Sequence, residues 1–363
     1  MKISAHNMLV LLHNIIRTVS PGQVRHMQRT AIITAYLATY TGCGTIRHRH
    51  LFLAAMLDDI HALKKGSAKD ADVQPLTSAI SAIRFLAPAV VVCDMPLLRM
   101  AGAFERFLTR TGGSRNLTPF LTHGGHWPGR LVDALKESAK EDGFWFRLSS
   151  ASPDKVLNAL SPLHDEMLDH HDLLEVCPLI SCIMDMYSGA TARHSAGVSR
   201  MAQVLAALYG LEAEMQQKIA IAGYLHDVGK LLVPPKIIEK KGPLDPSEYA
   251  LMKQHSYKTL ELLTAADAPC DIARWAANHH ERLDGSGYPF RLRVASLDAP
   301  SRIVAVADIF TALTENRPYR RGMPVADALA IIQSEAENHR LDKEIVALLA
   351  QKIHLGDKDS VND

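Results

Sequence analysis

The sequence predicts an all-α protein built from two helical domains. Apolar residues recur at spacings of three and four, as in Leu205, Leu208 and Leu211 or Ile219, Ala222 and Leu225, which marks one buried face of a helix. Strand-type alternation is scarce, and Pro- or Gly-containing breaks divide the chain into segments of helical length. At 363 residues the chain is long enough to bury two cores.

In chain order, residues 1 to 20 form an apolar helix stopped by Ser20-Pro21-Gly22, and Gln23 to Tyr40 another stopped by Gly42-Cys43-Gly44. His48 to Leu63 makes a third, a polar loop covers Lys64 to Asp72, and helices follow around Leu76 to Leu86, Leu97 to Thr109 and Arg130 to Glu141. Ser152-Pro153-Asp154 starts a long helical stretch to about Tyr187, with interruptions expected at Pro162 and Pro178. Its crowded His164, Asp165, Glu166, Asp169, His170, His171 and Asp172 read as a solvated charged face. Beyond it lie helices over His194 to Tyr209, Glu212 to Lys230, Tyr249 to Ala266 and Asp271 to Glu281. Asp245-Pro246-Ser247-Glu248 is a helix N-terminal signature. Arg282 to Leu297, with Gly285, Gly287 and Pro289, is a loop. Helices from Pro300 to Thr314, Pro324 to Asn338 and Asp342 to Ile353 complete the chain, with a frayed polar tail from Gly356.

Charge is almost balanced, 40 Lys plus Arg against 39 Asp plus Glu, so nothing favours a DNA or RNA duplex or an anionic membrane as partner. Five cysteines without a Cys-x-x-Cys pair imply neither a disulfide framework nor a zinc knuckle. No apolar run reaches the ~20 residues that span a bilayer, and a cytoplasmic location is expected.

The two halves resemble each other. His26 stands 32 positions before Asp58, and His194 stands 32 before His226. The second helix of each copy closes as Met56-Leu57-Asp58-Asp59-Ile60 against Tyr224-Leu225-His226-Asp227-Val228. Residues 1–150 are therefore expected to be a degenerate copy of the C-terminal domain, with 151–190 a helical connector. His123 and His126, beside Gly124-Gly125, read as ordinary loop histidines.

The C-terminal half supplies His194, His226-Asp227, His255, His279-His280 and Asp308. Imidazoles and carboxylates together suit iron, manganese, nickel or zinc, and seven such groups exceed what one ion takes, so two divalent ions are expected. Asp308 sits in Ile303-Val304-Ala305-Val306-Ala307-Asp308-Ile309, where an unpaired buried carboxylate would be costly. Lys230, Arg317 and Arg320 each follow a ligand at short range, and metals beside convergent cations describe a site for a phosphate ester.

His226-Asp227-Val228-Gly229-Lys230, with His279-His280-Glu281-Arg282-Leu283-Asp284-Gly285-Ser286-Gly287-Tyr288-Pro289, resembles the HD-GYP family of the HD phosphohydrolase superfamily. The resemblance runs from about His194 to Ile353 and includes Ala307-Asp308-Ile309 and Arg317-Pro318-Tyr319-Arg320. It implies an HD-GYP catalytic domain over 191–355, ahead of a tail over 356–363, that hydrolyses cyclic di-GMP to pGpG and then GMP. A 3′3′-cGAMP-preferring phosphodiesterase and a non-catalytic cyclic-dinucleotide receptor are the alternatives.

By position, the resemblance makes His194, His226, Asp227, His255, His279, His280 and Asp308 the metal ligands, with Asp227 bridging two ions, iron or manganese foremost. Lys230, Arg317 and Arg320 would grip substrate phosphates, with Asp227 and Lys230 the catalytic pair. Gly285, Gly287, Tyr288 and Pro289 would shape the loop beside the pocket. Members with three metals carry a glutamate where this chain has Ala190, so two ions and accumulation of pGpG are expected. The N-terminal copy is expected to regulate, to dimerise or to receive a signalling partner.

Overall fold

The structure, a computed structural model, describes residues 2–58, 60, 83–86, 95–187, 192–316 and 321–359. It divides into two compact units, one from Ser4 to Met167 and one beginning at Leu168 and taking in the first residues of the chain. The division falls inside the stretch 151–190. Two-residue strands at Ile3–Ser4 and Met167–Leu168 form the one sheet among the described residues, and all other regular structure there is helical.

The first unit contains α1 (Ala5–Val19), α2 (Pro21–Tyr40), α3 (Thr45–Met56), α4 (Pro96–Arg110), α5 (Thr118–His123), α6 (Gly129–Lys140), α7 (Asp142–Leu148) and α8 (Pro153–Leu160). Its hub is α2, which touches α1, α3, α4, α6 and α8. That position follows from its sequence: Val24, Met27, Ile32, Ile33 and Leu37 are apolar on several sides and all buried. Each such side chain contributes about 1.5–3 kcal/mol of transfer free energy. Pro21 opens α2 where a missing N–H costs nothing. Gln28 and Arg17 fix α8, donating to the Asp154 carboxylate at 2.6 Å and at 2.9 and 3.0 Å. The sequence reading carried the third helix to Leu63, but α3 ends at Met56 and Leu57 and Asp58 form a turn. The polar loop over 64–72 and most of the helix expected over 76–86 lie outside the described residues; residues 83–86 form a turn.

The second unit contains α9 (His170–Tyr187), α10 (Ala192–Leu208), α11 (Ala213–Leu225), α12 (Pro235–Ile238), α13 (Pro246–Ala265), α14 (Cys270–Ala277), α15 (Ala299–Thr314), α16 (Val325–Glu337) and α17 (Lys343–Asp359). Pro178 lies within α9 and does not interrupt it; the break falls earlier, where the Asp169 carboxylate accepts the N–H groups of His171 and Asp172. Asp245 and Glu248 close a reciprocal capping box at the start of α13. The core helix is α15, whose Ile303, Val304, Val306 and Ala307 are fully buried against α10, α11, α14, α16 and α17. Instead of fraying at Gly356, α17 continues to Asp359.

One difference bears on the site. The helix expected to reach Lys230 stops at Leu225, and Val228–Leu232 forms a separate 3-10 turn. Gly229 presses so closely on α13 that a Cβ would lie 2.0 Å from the His255 carbonyl oxygen. Its N–H is taken by Thr259 Oγ1 at 3.0 Å, and that hydroxyl donates to the His226 carbonyl at 2.9 Å. The His226 carbonyl and the Gly229 N–H are therefore satisfied by α13 and not by continuation of α11.

Candidate metal centre

Five segments bring the seven expected ligands together. His194 lies on the first turn of α10, His226 and Asp227 follow the last residue of α11, and His255 sits midway along α13. His279 and His280 occupy the 3-10 turn Asn278–His280 after α14, and Asp308 the middle of α15. His194 Nε2 is 3.1 Å from Asp308 Oδ1, and His226 Nε2 is 3.7 Å from the same oxygen. His255 Nε2 lies 3.5 Å from Asp227 Oδ1 and 3.2 Å from His279 Nε2. His280 Nδ1 lies 4.0 Å from Asp308 Oδ2. Three groups of ligand atoms each converge within 4.8 Å: His194, His226 and Asp308; His226, Asp227 and His279; His255, His279 and His280. The groups overlap at His226 and His279, with Asp227 between them.

Ring tautomers show that these residues fit divalent cations. The Nδ1 atoms of His226, His255 and His279 lie 2.7, 2.6 and 2.6 Å from the carbonyl oxygens of Gly223, Met252 and Ala276, each three residues earlier. A carbonyl only accepts, so each Nδ1 carries the proton and each Nε2 presents a lone pair to the centre. Two such lone pairs, on His255 and His279, face each other at 3.2 Å. His226 Nε2 and Asp227 Oδ1 are buried without a hydrogen-bond partner. Buried lone pairs left without a donor at His226 Nε2 and Asp227 Oδ1 are costly unless a cation is shared.

Protonation states agree. Burial, reinforced by His280 and His226, holds His279 well below the ordinary imidazole range, and burial lowers His255 to about 4. Burial would raise the carboxyls of Asp227 and Asp308, but the surrounding imidazoles, with Lys230 beside Asp227, hold both well below the usual range. His194 differs: burial works against its charged form, yet the carboxylates of Asp308 and Glu315 raise it to about 9. A cation at Asp308 would displace that proton. Glu315, 3.4 Å from His194 Nδ1, is placed to orient the ring.

Lys230 Nζ sits 2.5 Å from Asp227 Oδ2, part-exposed at the edge of the cluster. Arg317 and Arg320 lie outside the described residues, as does Ala190. Gly287 passes so close to the preceding strand of loop that a Cβ would meet the Arg282 nitrogen at 2.4 Å. Tyr288 lies beside the centre, its ring 4.7 Å from that of His280. Tyr288 and Pro289 also help to line a cleft of about 800 Å3, together with Tyr249, Tyr257, Lys253 and Arg291.

Sequence reasoning missed three residues here. Glu281 is buried and its carboxylate accepts the N–H groups of Phe290 and Leu292 at 2.6 and 2.9 Å, pinning the far side of the loop. Its place directly after His279-His280 was the available signal. Glu315 and Thr259 act through contacts distant in sequence, for which there was none.

In the first unit the two residues that the sequence repeat singles out, His26 and Asp58, also lie side by side. His26, counterpart of His194, pairs through Nδ1 with Glu105, and its Nε2 is 3.4 Å from Asp58, counterpart of His226. Among the described residues, every group of three converging ligand atoms lies in the second unit. His123 and His126 are exposed.

The HD domain family matches residues 178–345. The 3′3′-cGAMP-specific phosphodiesterase 1 of Vibrio cholerae is 34% identical over 223 residues, which are 61% of this chain and 52% of that protein. The cyclic di-GMP phosphodiesterase of Thermotoga maritima is 35% identical over 184 residues, 50% of each. The chain thus spans about half the length of the curated relatives it matches. The crystal structure of the Vibrio cholerae cyclic GMP-AMP-specific phosphodiesterase V-cGAP3 superposes with a TM-score of 0.62 at 20% identity, over 98% of this chain and 99% of that one, which shows a shared fold. With the His-Asp pair, the paired histidines and the Gly-Tyr-Pro loop arranged around one centre, residues 178–345 carry an HD domain, and the chain is similar to phosphodiesterases of cyclic dinucleotides.

Proposed function

We propose that the second unit is a metal-dependent phosphodiesterase that opens a cyclic dinucleotide, with cyclic di-GMP as substrate and pGpG as the product that accumulates. The observation that carries this reading is the set of bare imidazole nitrogens and carboxylate oxygens facing one another around Asp227. His194, His226 and Asp308 would hold one divalent ion, and His255, His279 and His280 the other, with Asp227 shared. Bound there, the two ions supply Lewis-acid polarisation of phosphoryl oxygens and a water acidic enough to react at neutral pH.

The chain's own groups do the rest. The Nδ1–H bonds to Gly223, Met252 and Ala276 fix each ring and keep it in the ligating tautomer. Lys230, paired with Asp227, would offer positive charge at the edge of the cluster, where a phosphodiester oxygen gains charge as the bond to the 3′ oxygen breaks. Lys230 would also protonate that leaving oxygen. Arg317 and Arg320 carry the remaining phosphate contacts in this reading. The cleft behind Tyr288 combines aromatic rings with cations, the chemistry that a nucleobase and its phosphate ask for.

A second reading, preference for 3′3′-cGAMP, is favoured by the Vibrio cholerae relatives that carry that specificity in their names. Chromatography of products formed from cyclic di-GMP and 3′3′-cGAMP, with manganese or iron(II) supplied anaerobically, tests both. Linear dinucleotide from either, lost on replacing His226 and Asp227 by alanine, supports the phosphodiesterase and ranks the substrates. Binding of both ligands without any turnover would replace it with a receptor.

A further inference from the structure

The first unit carries a second cleft, of about 710 Å3, remote in sequence from every proposed metal ligand. Its walls come from the early part of α2, the end of α4, the Gly112-Gly113 turn and the segment between α7 and α8. We propose that this cleft binds a phosphomonoester anion of nucleotide size, gripped by Arg25, Arg29 and Arg115.

The charged side chains lining the cleft are three guanidinium groups, and no aspartate or glutamate lines it. The hydroxyls of Thr109 and Ser149, also in the lining, already donate to Glu105 and to the Trp145 carbonyl. Their charge is only partly matched. Arg25 is exposed and has no acidic partner among the described residues. Arg115 meets a single carboxylate, the exposed Asp142, at 3.3 Å, and lies across the Trp145 ring at 5.5 Å from its centroid. Arg29 shares buried Glu105 with His26, at 3.2 Å, and its Nε is buried with no hydrogen-bond partner. A concave surface with surplus positive charge and an unsatisfied buried donor calls for an anion with several acceptor oxygens. A terminal phosphate, doubly charged and able to accept from two planar guanidinium groups at once, matches best. The volume exceeds what inorganic phosphate fills and lies within the range of small-ligand sites. Trp145 and Leu148 give the floor an apolar part on which a sugar or base can rest.

The test is calorimetric titration of the full chain, stripped of divalent metal by chelation so that the result does not depend on the proposed metal centre. The probes are inorganic phosphate, GMP and pGpG. One site per chain is expected. Arg25→Ser and Arg115→Ser, at exposed positions the fold tolerates, should each weaken it about tenfold, as loss of a charge-assisted hydrogen bond implies. Tighter binding of GMP or pGpG than of phosphate supports the proposal, and binding no tighter than that of phosphate overturns it. Absence of binding by all three probes overturns the proposal. So does binding that both substitutions leave unchanged, because it would then belong to the basic groups of the second unit.

Discussion

Replacing Gly229 by alanine is expected to damage the metal centre without touching a ligand. The added Cβ would lie 2.0 Å from the His255 carbonyl oxygen, 2.6 Å from the Thr259 nitrogen and 2.9 Å from Thr259 Oγ1. Non-bonded carbon and oxygen need roughly 3.2 Å, so the turn and α13 must separate by about 1 Å, and two of the three obstacles are backbone. Overpacking ordinarily costs about 1–3 kcal/mol; with a helix backbone as the obstacle, the upper end or beyond is expected. His255 moves with the helix, and the bond from Gly229 N–H to Thr259 is broken. Displacing the support of one ligand typically lowers metal affinity about 10–100-fold. Thermal unfolding with and without manganese, paired with elemental analysis, reads both effects. Gly129→Ala, where nothing lies within 4 Å, is the control. A Gly229→Ala protein that melts with the wild type and keeps its metal would refute this account of the turn.

Three further outcomes are expected. Glu281→Gln sets an amide N–H against the Phe290 or Leu292 N–H, costing about 1–3 kcal/mol locally, so hydrogen exchange at those two amides should quicken; unchanged exchange would deny Glu281 its role. Lys230→Met should lower kcat about 100-fold while metal content stays near that of the wild type, since in the proposed function the lysine would serve charge near the phosphate and not ligation; undiminished kcat would contradict it. His13, fully buried with Nε2–H donating to the Met56 carbonyl at 2.6 Å, is lowered by burial to about 4. Its unfolded pKa is near 6.5, so the stability it contributes is intact above that value and is lost as pH falls towards 4, up to about 3 kcal/mol. Urea midpoints from pH 7 to pH 4 should therefore fall less steeply in His13→Gln; identical slopes would contradict the assignment.

The cluster of imidazoles and carboxylates was legible because each member stands in a local context that sets it apart. Asp308 is the clearest case: an acid in an apolar helix, it is 6% exposed and surrounded by imidazoles. What could not be read were features fixed by contacts between distant segments. The end of α11 at Leu225 depends on Gly229 meeting His255 and Thr259, and periodicity alone carried the helix on to Lys230. Lys230 was assigned to phosphate from its position one turn after the His-Asp pair, and its bond to Asp227 emerges only in three dimensions. The repeat disclosed His26 and Asp58 but not Glu105, because the second copy places its acid, Asp308, at a different spacing. The cleft of Arg25, Arg29 and Arg115 drew no attention, since its arginines are dispersed along a chain of balanced charge.

The most direct measurement is the metal content of protein purified without oxygen and supplied with manganese or iron(II), beside Asp227→Asn prepared in the same way. The account predicts two ions per chain in the wild type and the loss of at least one when the shared carboxylate is gone. Fewer than two ions in the wild type, or two retained in Asp227→Asn, would contradict it.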